Sequence, residues 1–163
     1  RNLEQGKQYL RDRYQGELSR RYGVIASSRD KILSQYGIVN DYAVTSRLPK
    51  GPWFAEGPGH PDSCTNLETV ATEFDAQGLE LDQSLLAWGG DFVRKNSGWS
   101  IFGAREYRDQ DSVKDPFELR RNSYRVLLTR GRDGSIIFVP KAEALDETYQ
   151  YLIDAGVVPL ESE

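Results

Sequence analysis

The stretch ATEFDAQGLELDQSLLAWGGDF, residues 71–92, predicts two buried strands joined by a polar segment. LETVA (67–71) and SLLAW (84–88) are short apolar runs typical of strands. Between them lies a Gln-Gly pair at 77–78, followed by two acids beside the second strand, Glu80 and Asp82. Such a close order of polar residues between two strands needs an explanation beyond a simple turn.

Strand and helix candidates alternate along the rest of the chain. YGVIAS (22–27) and SIIFVP (135–140) are predicted strands, and helices are predicted over 3–20, 28–37, 115–130 and in a last segment that ends at Gly156. Asp115 and Pro116 form a typical helix start. The Gly/Pro-rich segment 38–66 is predicted to be an irregular insertion. This alternation predicts one α/β domain over 1–163 with a mostly parallel sheet covered on both faces.

Composition excludes several classes of protein. No apolar run approaches the roughly 18 residues of a membrane span, and no leading segment resembles a signal peptide, so we expect a cytoplasmic protein without membrane contact. The single cysteine and single histidine exclude an internal disulfide and a Cys/His metal cluster. The net charge of −4 argues against general binding to polyanions.

Positive charge is nevertheless concentrated in one place. Residues 120–132 contain five arginines and no acid. On a helix, Arg121, Arg125 and Thr129 are spaced by four and share one polar face. Two interpretations remain open: a solvated helix face, or contact with nucleotide phosphates or a nucleic-acid backbone, whose oxygens a guanidinium binds in pairs.

Two sequence motifs carry a resemblance to a known family. ATEFDAQGLELD resembles motif V of superfamily 1 helicases, and NSYRVLLTRGRDG resembles motif VI, in the same order as in that family. With WGGDF, they look like a family of bacterial helicase-like ATPases related to the Schlafen C-terminal region. The resemblance implies a RecA-like three-layer α/β/α sandwich that forms the second of two motor domains.

The resemblance also implies roles for particular residues. Arg130 and Glu80 would be the catalytic residues: Arg130 would be an arginine finger that reaches the γ-phosphate of ATP, and Glu80 would lie at the nucleotide, toward the ribose. Gln77 and Gly78 would contribute to the nucleotide site, with Gly78 allowing close backbone approach or a positive φ. Thr72 and Gln77 would lie near the nucleic-acid backbone. The alternative for the Gln-Gly pair is a plain turn, and the alternative for Glu80 and Asp82 is a solvated strand entry.

Two further candidates are less specific. Arg29, after the strand at 22–27, matches the position of motif IV approximately and would contact a phosphate of the bound nucleotide; the alternative is a surface role at a helix start. Trp53, in the Gly/Pro-rich segment, would stack on a base of a single strand, and the alternative is that it pins the segment to the core.

One half of an ATPase site is missing from the sequence. Gly6-Lys7 is followed by Gln8 without a preceding glycine-rich loop, so no Walker A motif is present, and no Walker B acid pair follows a suitable strand. Because the chain starts with arginine, we expect it to be a piece of a longer protein or a processed product. An N-terminal RecA-like domain of the same chain would bind most of the ATP and Mg²⁺, and the fragment alone would be inactive.

The predicted function is therefore the second motor domain of an ATP-dependent helicase or translocase acting on single-stranded DNA or RNA. Two alternatives remain. One is a nucleotide-dependent switch or nuclease-associated ATPase that does not unwind duplexes. The other is a non-catalytic nucleic-acid-binding module on a degenerate motor fold.

Overall fold

A computed structural model describes residues 1–96, 98–107 and 113–160. It contains five α-helices and six strands within these residues, numbered in chain order. The helices are α1 (Leu3–Arg13), α2 (Tyr42–Thr45), α3 (Lys50–Ala55), α4 (Pro116–Leu128) and α5 (Asp146–Asp154). The strands are β1 (Tyr22–Ala26), β2 (Val70–Thr72), β3 (Leu81–Ala87), β4 (Val93–Lys95), β5 (Gly98–Ser100) and β6 (Gly131–Phe138).

Four of the strands form a parallel sheet in the order β2-β1-β3-β6. Their register aligns the carboxyl ends in one row, because Ala26 pairs with both Thr72 and Ala87, and Ala87 pairs with Phe138. Strands β4 and β5 form a separate antiparallel pair. An all-parallel sheet has both faces buried, and residues of β1 and β3 are buried throughout.

Alternate strand residues feed two hydrophobic cores, one on each face of the sheet. Ile25 and Leu86 pack with residues of α3, α4 and α5 on one face. Val24 and Leu85 pack with residues of α1, such as Leu10, on the other. The three layers confirm the predicted α/β fold and its RecA-like α/β/α arrangement.

Local sequence signals locate α4 correctly. The Asp115 side chain accepts a hydrogen bond from the Glu118 amide at 2.8 Å, and Pro116 occupies the first helical position. Arg120, Ser123, Tyr124 and Leu127 face inward. The last predicted helix is also present as α5, with Leu145 and Leu152 buried and Gly156 at a φ of 98° just after its end.

Two predicted helices differ from the structure. The first helix ends at Arg13 instead of continuing to residue 20, because the chain turns at Gly16 with a φ of 80°, and Leu18 is left 70% exposed. Over 28–37 only a 3-10 turn forms, Leu33–Tyr36. There the Asp30 carboxylate accepts hydrogen bonds from the amides of Ile32 and Leu33. The segment 38–66 is not wholly irregular, since it contains α2, α3 and a 3-10 turn.

Candidate functional site

A cleft of about 650 Å³ opens at the carboxyl ends of β1 and β2. Its lining includes Ser28 and Arg29 after β1, Thr72 and Phe74 at the end of β2, and Tyr42 and Lys50 from the segment 38–66. Ligands of parallel α/β sheets bind at this edge. The structure therefore brings two of the predicted site residues, Arg29 and Thr72, into one cleft.

Thr72 is held in place by an aspartate three residues later. Its amide and its hydroxyl donate to Asp75 Oδ2 at 3.0 and 2.7 Å, and Lys50 Nζ lies 2.8 Å from Asp75 Oδ1. Burial opposes ionisation of Asp75, but the bonds from Lys50 and Thr72 outweigh it and lower the pKa of the carboxyl group. Thr72 is 3% exposed, so its backbone and hydroxyl form a fixed floor of the cleft.

Arg29 carries a positive charge into the cleft. Its guanidinium stacks over the Tyr107 ring at 4.0 Å, and its Nη1 donates to the Glu106 carbonyl oxygen at 3.1 Å. Its Nε is buried without a hydrogen-bond partner, and the described residues place no carboxylate at ion-pair distance from it. Its positive charge therefore lies at the cleft without a carboxylate partner among the described residues, and contact of Arg29 with a phosphate stays a prediction.

Two exposed aromatic rings lie beside these cations. Phe74 is 62% exposed and Tyr42 is 75% exposed, and both line the cleft. Tyr42 begins α2, and the preceding residue, Asp41, forms an ion pair with Arg105 at 2.5 Å. Exposed aromatic rings together with cations can stack bases and neutralise phosphates. Sequence reasoning missed both rings, although Phe74 is an apolar residue inside the polar segment between β2 and β3.

A buried polar network lies behind the cleft, centred on Arg120. This side chain is 1% exposed, and its Nη2 donates to Glu73 Oε1 at 2.7 Å while its Nη1 donates to Asp91 Oδ2 at 3.1 Å. Ser28 donates to Glu73 from its amide and its hydroxyl, and Tyr124 donates to Asp91 at 2.6 Å. Burial opposes ionisation of the guanidinium, yet the two carboxylates raise the pKa of Arg120. The network fixes both Thr72 and Arg29 through their neighbours.

The polar segment 73–80 contains the other motif V candidates. Gly78 has a φ of 83°, which confirms the positive φ considered for this position and explains why glycine stands there. Gln77 and Glu80 are exposed, and within the described chain Glu80 has no hydrogen bond or ion pair. Asp82, in contrast, is a structural residue of β3 that accepts from the Arg21 amide at 2.7 Å and pairs with Arg20 and Arg132.

Arg130 lies between α4 and β6, against the segment 73–80. Its Nε donates to the Val126 carbonyl oxygen at 3.0 Å, and its Nη1 donates to the carbonyl oxygens of Ala76 and Leu79 at 3.4 and 3.2 Å. Its Nη2 donates to Thr129 Oγ1 at 3.4 Å. All of these acceptors are neutral, and among the described residues no carboxylate pairs with Arg130.

The outward face of α4 has the predicted composition. Arg121, Arg125 and Thr129 are all exposed. Arg121 forms an ion pair with Glu118. In the described part of the chain, the Arg125 guanidinium donates only to Asn122 Oδ1, at 3.1 Å, and Thr129 Oγ1 donates to the Arg125 carbonyl oxygen at 2.9 Å. Contact of this face with nucleic acid stays a prediction.

The prediction that Trp53 stacks on a base is wrong for this structure. Trp53 is 1% exposed, and its ring packs so closely on β1 that a Cβ at Gly23 would lie 2.9 Å from it. The side chain pins α3 to the core, which is the alternative interpretation. Cys64 lies in the same core, and burial raises the pKa of its thiol to about 11, so the thiol is not a reactive nucleophile at neutral pH.

Sequence reasoning also missed the buried network of Arg120, Glu73 and Asp91. A signal for Arg120 exists, because it shares the inward face of α4 with Tyr124 and Leu127 at helical spacing. A buried arginine requires carboxylate partners. The identity of those partners depends on the pairing of strands far apart in the sequence.

Residues 1–96, 98–107 and 113–160 contain neither a membrane-spanning helix nor a cluster of metal ligands. No helix there has the length and apolar character needed to cross a bilayer. The same residues contain no group of three or more His, Cys, Asp or Glu side chains that could hold a metal ion.

Comparison with known proteins gives one family. No curated protein and no solved structure shows significant similarity to the chain. The family described as Schlafen group 3, DNA/RNA helicase domain, matches residues 1–141. This match confirms the predicted relation to the Schlafen helicase region and supports a nucleic-acid related role of the helicase type. The chain belongs to the Schlafen group 3 DNA/RNA helicase domain family.

Proposed function

We propose that this domain is the second motor domain of an ATP-dependent helicase or translocase, and that it supplies Arg130 to an ATP site shared with an N-terminal RecA-like domain. The observation that carries the proposal is the chemistry around Arg130, whose acceptors among the described residues are all neutral. A guanidinium without a carboxylate partner keeps its charge available for a phosphate. Such a group can stabilise the negative charge that develops on a transferring phosphoryl group.

The neighbouring residues fit a nucleotide. Glu80 is an exposed carboxylate that can accept hydrogen bonds from ribose hydroxyl groups, and Gln77 and Gly78 form an exposed turn that a nucleotide can approach closely. ATP would supply the transferable phosphoryl group. Since the described residues contain no carboxylate cluster for a metal, Mg²⁺ would be held by the N-terminal RecA-like domain and the phosphates.

The cleft at the carboxyl ends of β1 and β2 is the proposed path of single-stranded DNA or RNA. Phe74 and Tyr42 would stack on bases, and Arg29 and Lys50 would neutralise phosphates. Thr72 would contact the backbone of the strand from the floor of the cleft. In this proposal Arg29 serves the strand, instead of the nucleotide as the sequence predicted. A bacterial origin and a cytoplasmic location stay predictions.

A single-strand-stimulated ATPase assay on the full-length protein tests both halves of the proposal. We expect Arg130→Ala to lower kcat about 100-fold or more at a saturating strand, because its interaction is made chiefly in the transition state. Phe74→Ala should instead raise the strand concentration for half-maximal stimulation by about 5- to 100-fold, the loss of one stacked base, with kcat at saturation unchanged.

Two matched variants serve as controls. Arg11→Ala removes an exposed arginine of α1, and Phe102→Ala removes a phenylalanine that is 96% exposed outside the cleft lining. Neither should change kcat or the strand requirement. An unchanged kcat for Arg130→Ala would refute the arginine-finger assignment, and equal effects of Phe74→Ala and Phe102→Ala would refute the strand path.

A further inference from the structure

We infer that Arg130 has a second, positioning role: with Arg120 it anchors the segment 73–80 at two points, and recruitment of Arg130 by a phosphate releases one of them. The part of this inference that concerns a nucleotide phosphate rests on the proposed function. The anchoring itself follows from contacts within the domain.

The first anchor is a buried ion pair at the start of the segment. Arg120 donates to Glu73 at 2.7 Å, and the two side chains are 1% and 6% exposed. The Ser28 amide and hydroxyl donate to the same carboxylate at 2.8 and 2.9 Å. Because separating these groups would leave a buried charge unpaired, this anchor stays closed in the folded protein.

The second anchor holds the Gln77–Gly78 turn. Nη1 of Arg130 donates to both Ala76 O and Leu79 O, the carbonyl oxygens on either side of this pair. The Leu79 amide donates to Ala76 O at 3.1 Å, which closes the turn. One guanidinium nitrogen therefore braces the turn that carries Gln77 and Gly78.

The two anchors differ in the charge of their acceptors. Arg120 pairs with carboxylates in the buried interior. Arg130 is only partly buried, and its Nη1 donates to the neutral carbonyl oxygens of Ala76 and Leu79 at 3.4 and 3.2 Å. A phosphate oxygen carries a negative charge and is a stronger acceptor than a carbonyl oxygen. A phosphate that engages Nη1 will thus draw it away from Ala76 and Leu79, while Glu73 stays bound to Arg120.

This exchange links the nucleotide to the cleft. The freed turn is joined to Thr72 through Asp75 and Ala76, whose amides both donate to Thr72 O. A nucleotide that loosens the turn will change the affinity for a strand at Thr72, and the strand must change the affinity for the nucleotide by the same factor. Arg130 is the residue through which the two ligands would communicate.

Amide hydrogen exchange of the full-length protein, resolved by NMR, tests the inference. In Arg130→Ala we expect the Leu79 amide to exchange at least about fivefold faster, because the brace of its acceptor is lost. The Asp75 and Ala76 amides, which donate to Thr72 O at 3.0 and 2.8 Å, should be unchanged. Arg11→Ala should leave all three amides unchanged, and protection of the Ile25 amide in the core shows that each variant is folded.

A non-hydrolysable ATP analogue with Mg²⁺ gives the second readout. It should speed exchange at Leu79 in the unaltered protein and should have no further effect in Arg130→Ala. If Arg130→Ala leaves Leu79 exchange as it is, the positioning role is wrong, whatever its kcat. If the analogue slows Leu79 exchange or leaves it unchanged in the unaltered protein, a nucleotide phosphate does not release Arg130 from the turn, and that part of the inference is wrong. A normal kcat of Arg130→Ala overturns the proposed finger alone, because the exchange of Leu79 without nucleotide still decides the positioning role.

Discussion

Arg120→Ala is expected to destabilise the domain by about 3–5 kcal/mol, the cost of leaving buried charges without their partner. The side chain donates to Glu73 at 2.7 Å, to Asp91 at 3.1 Å and to Ser123 at 2.7 Å, and also to Ser27. Glu73 is 6% exposed and Asp91 is fully buried, so water cannot replace the guanidinium without a rearrangement. We expect a loss of unfolding free energy toward the lower end of this range, because Ser28 still donates to Glu73 and Tyr124 still donates to Asp91.

Thermal and urea unfolding followed by circular dichroism measure this loss. At about 2–4 °C per kcal/mol for a chain of this size, Tm should fall by about 6–20 °C. Arg121→Ala is the matched control, since Arg121 is the next residue of α4 and its ion pair with Glu118 is exposed. It should cost no more than about 1 kcal/mol.

A double-mutant cycle identifies the origin of the effect. Arg120→Met and Glu73→Gln, alone and together, should show a coupling of about 1–3 kcal/mol, because each single change leaves the other partner unsatisfied. If Arg120→Ala costs no more than Arg121→Ala, or if the coupling is near zero, the buried network does not stabilise the domain and the reasoning is wrong.

Two further predictions concern β3 and β6. Burial opposes ionisation of Asp82, but hydrogen bonds from Arg21, Arg20 and Arg132 outweigh it and lower its pKa. The stability that Asp82 contributes is therefore fully present above the unfolded pKa of about 3.9 and is lost as the pH falls through the lowered value. Urea unfolding should find Asp82→Asn less stable by about 1 kcal/mol at pH 7, and the difference should vanish in acid; a constant difference would contradict the assignment.

Gly131→Ala should cost about 3 kcal/mol or more, because its Cβ would overlap the Gly134 carbonyl oxygen and lie 2.9 Å from the Ser84 amide nitrogen. Gly51→Ala in α3, where a Cβ meets nothing within 4 Å, should be neutral or slightly stabilising, and equal Tm values for the two variants would refute the steric argument.

Capping residues and apolar runs predicted the elements that depend mainly on contacts between residues close in sequence. The start of α4 was predictable because Asp115 and Pro116 act on their own neighbours, and β1 was predictable because its run is apolar throughout. The helix over 28–37 was not, since Asp30 also accepts from the Gly90 amide at 2.6 Å. A contact between residues so far apart in sequence overrides local helix propensity, and no periodicity within the segment reveals it.

The candidate site was predictable in a similar, partial way. The motif resemblance located Thr72, Gly78 and Arg130 on or against the segment 73–80, which the structure shows to be one connected unit. It could not distinguish the buried Trp53 from the exposed Phe74, because their burial depends on where the segments that carry them pack on the sheet. Residue type indicates the chemistry that is possible at a position, and the tertiary fold decides which side chains remain accessible.

The five arginines of 120–132 differ in whether their side chains pair with carboxylates or with neutral acceptors. Three pair with carboxylates: Arg120 with Glu73 and Asp91, Arg121 with Glu118, and Arg132 with Asp82. Within the part of the chain that the structure describes, Arg125 and Arg130 have only neutral acceptors. An arginine whose charge is already neutralised must break an ion pair to bind an anion, whereas these two need only exchange a neutral acceptor for a charged one. Among the five, the charges of Arg125 and Arg130 are therefore the most readily available to an anion, while contact of Arg121, Arg125 and Thr129 with nucleic acid and of Arg130 with a nucleotide stay predictions.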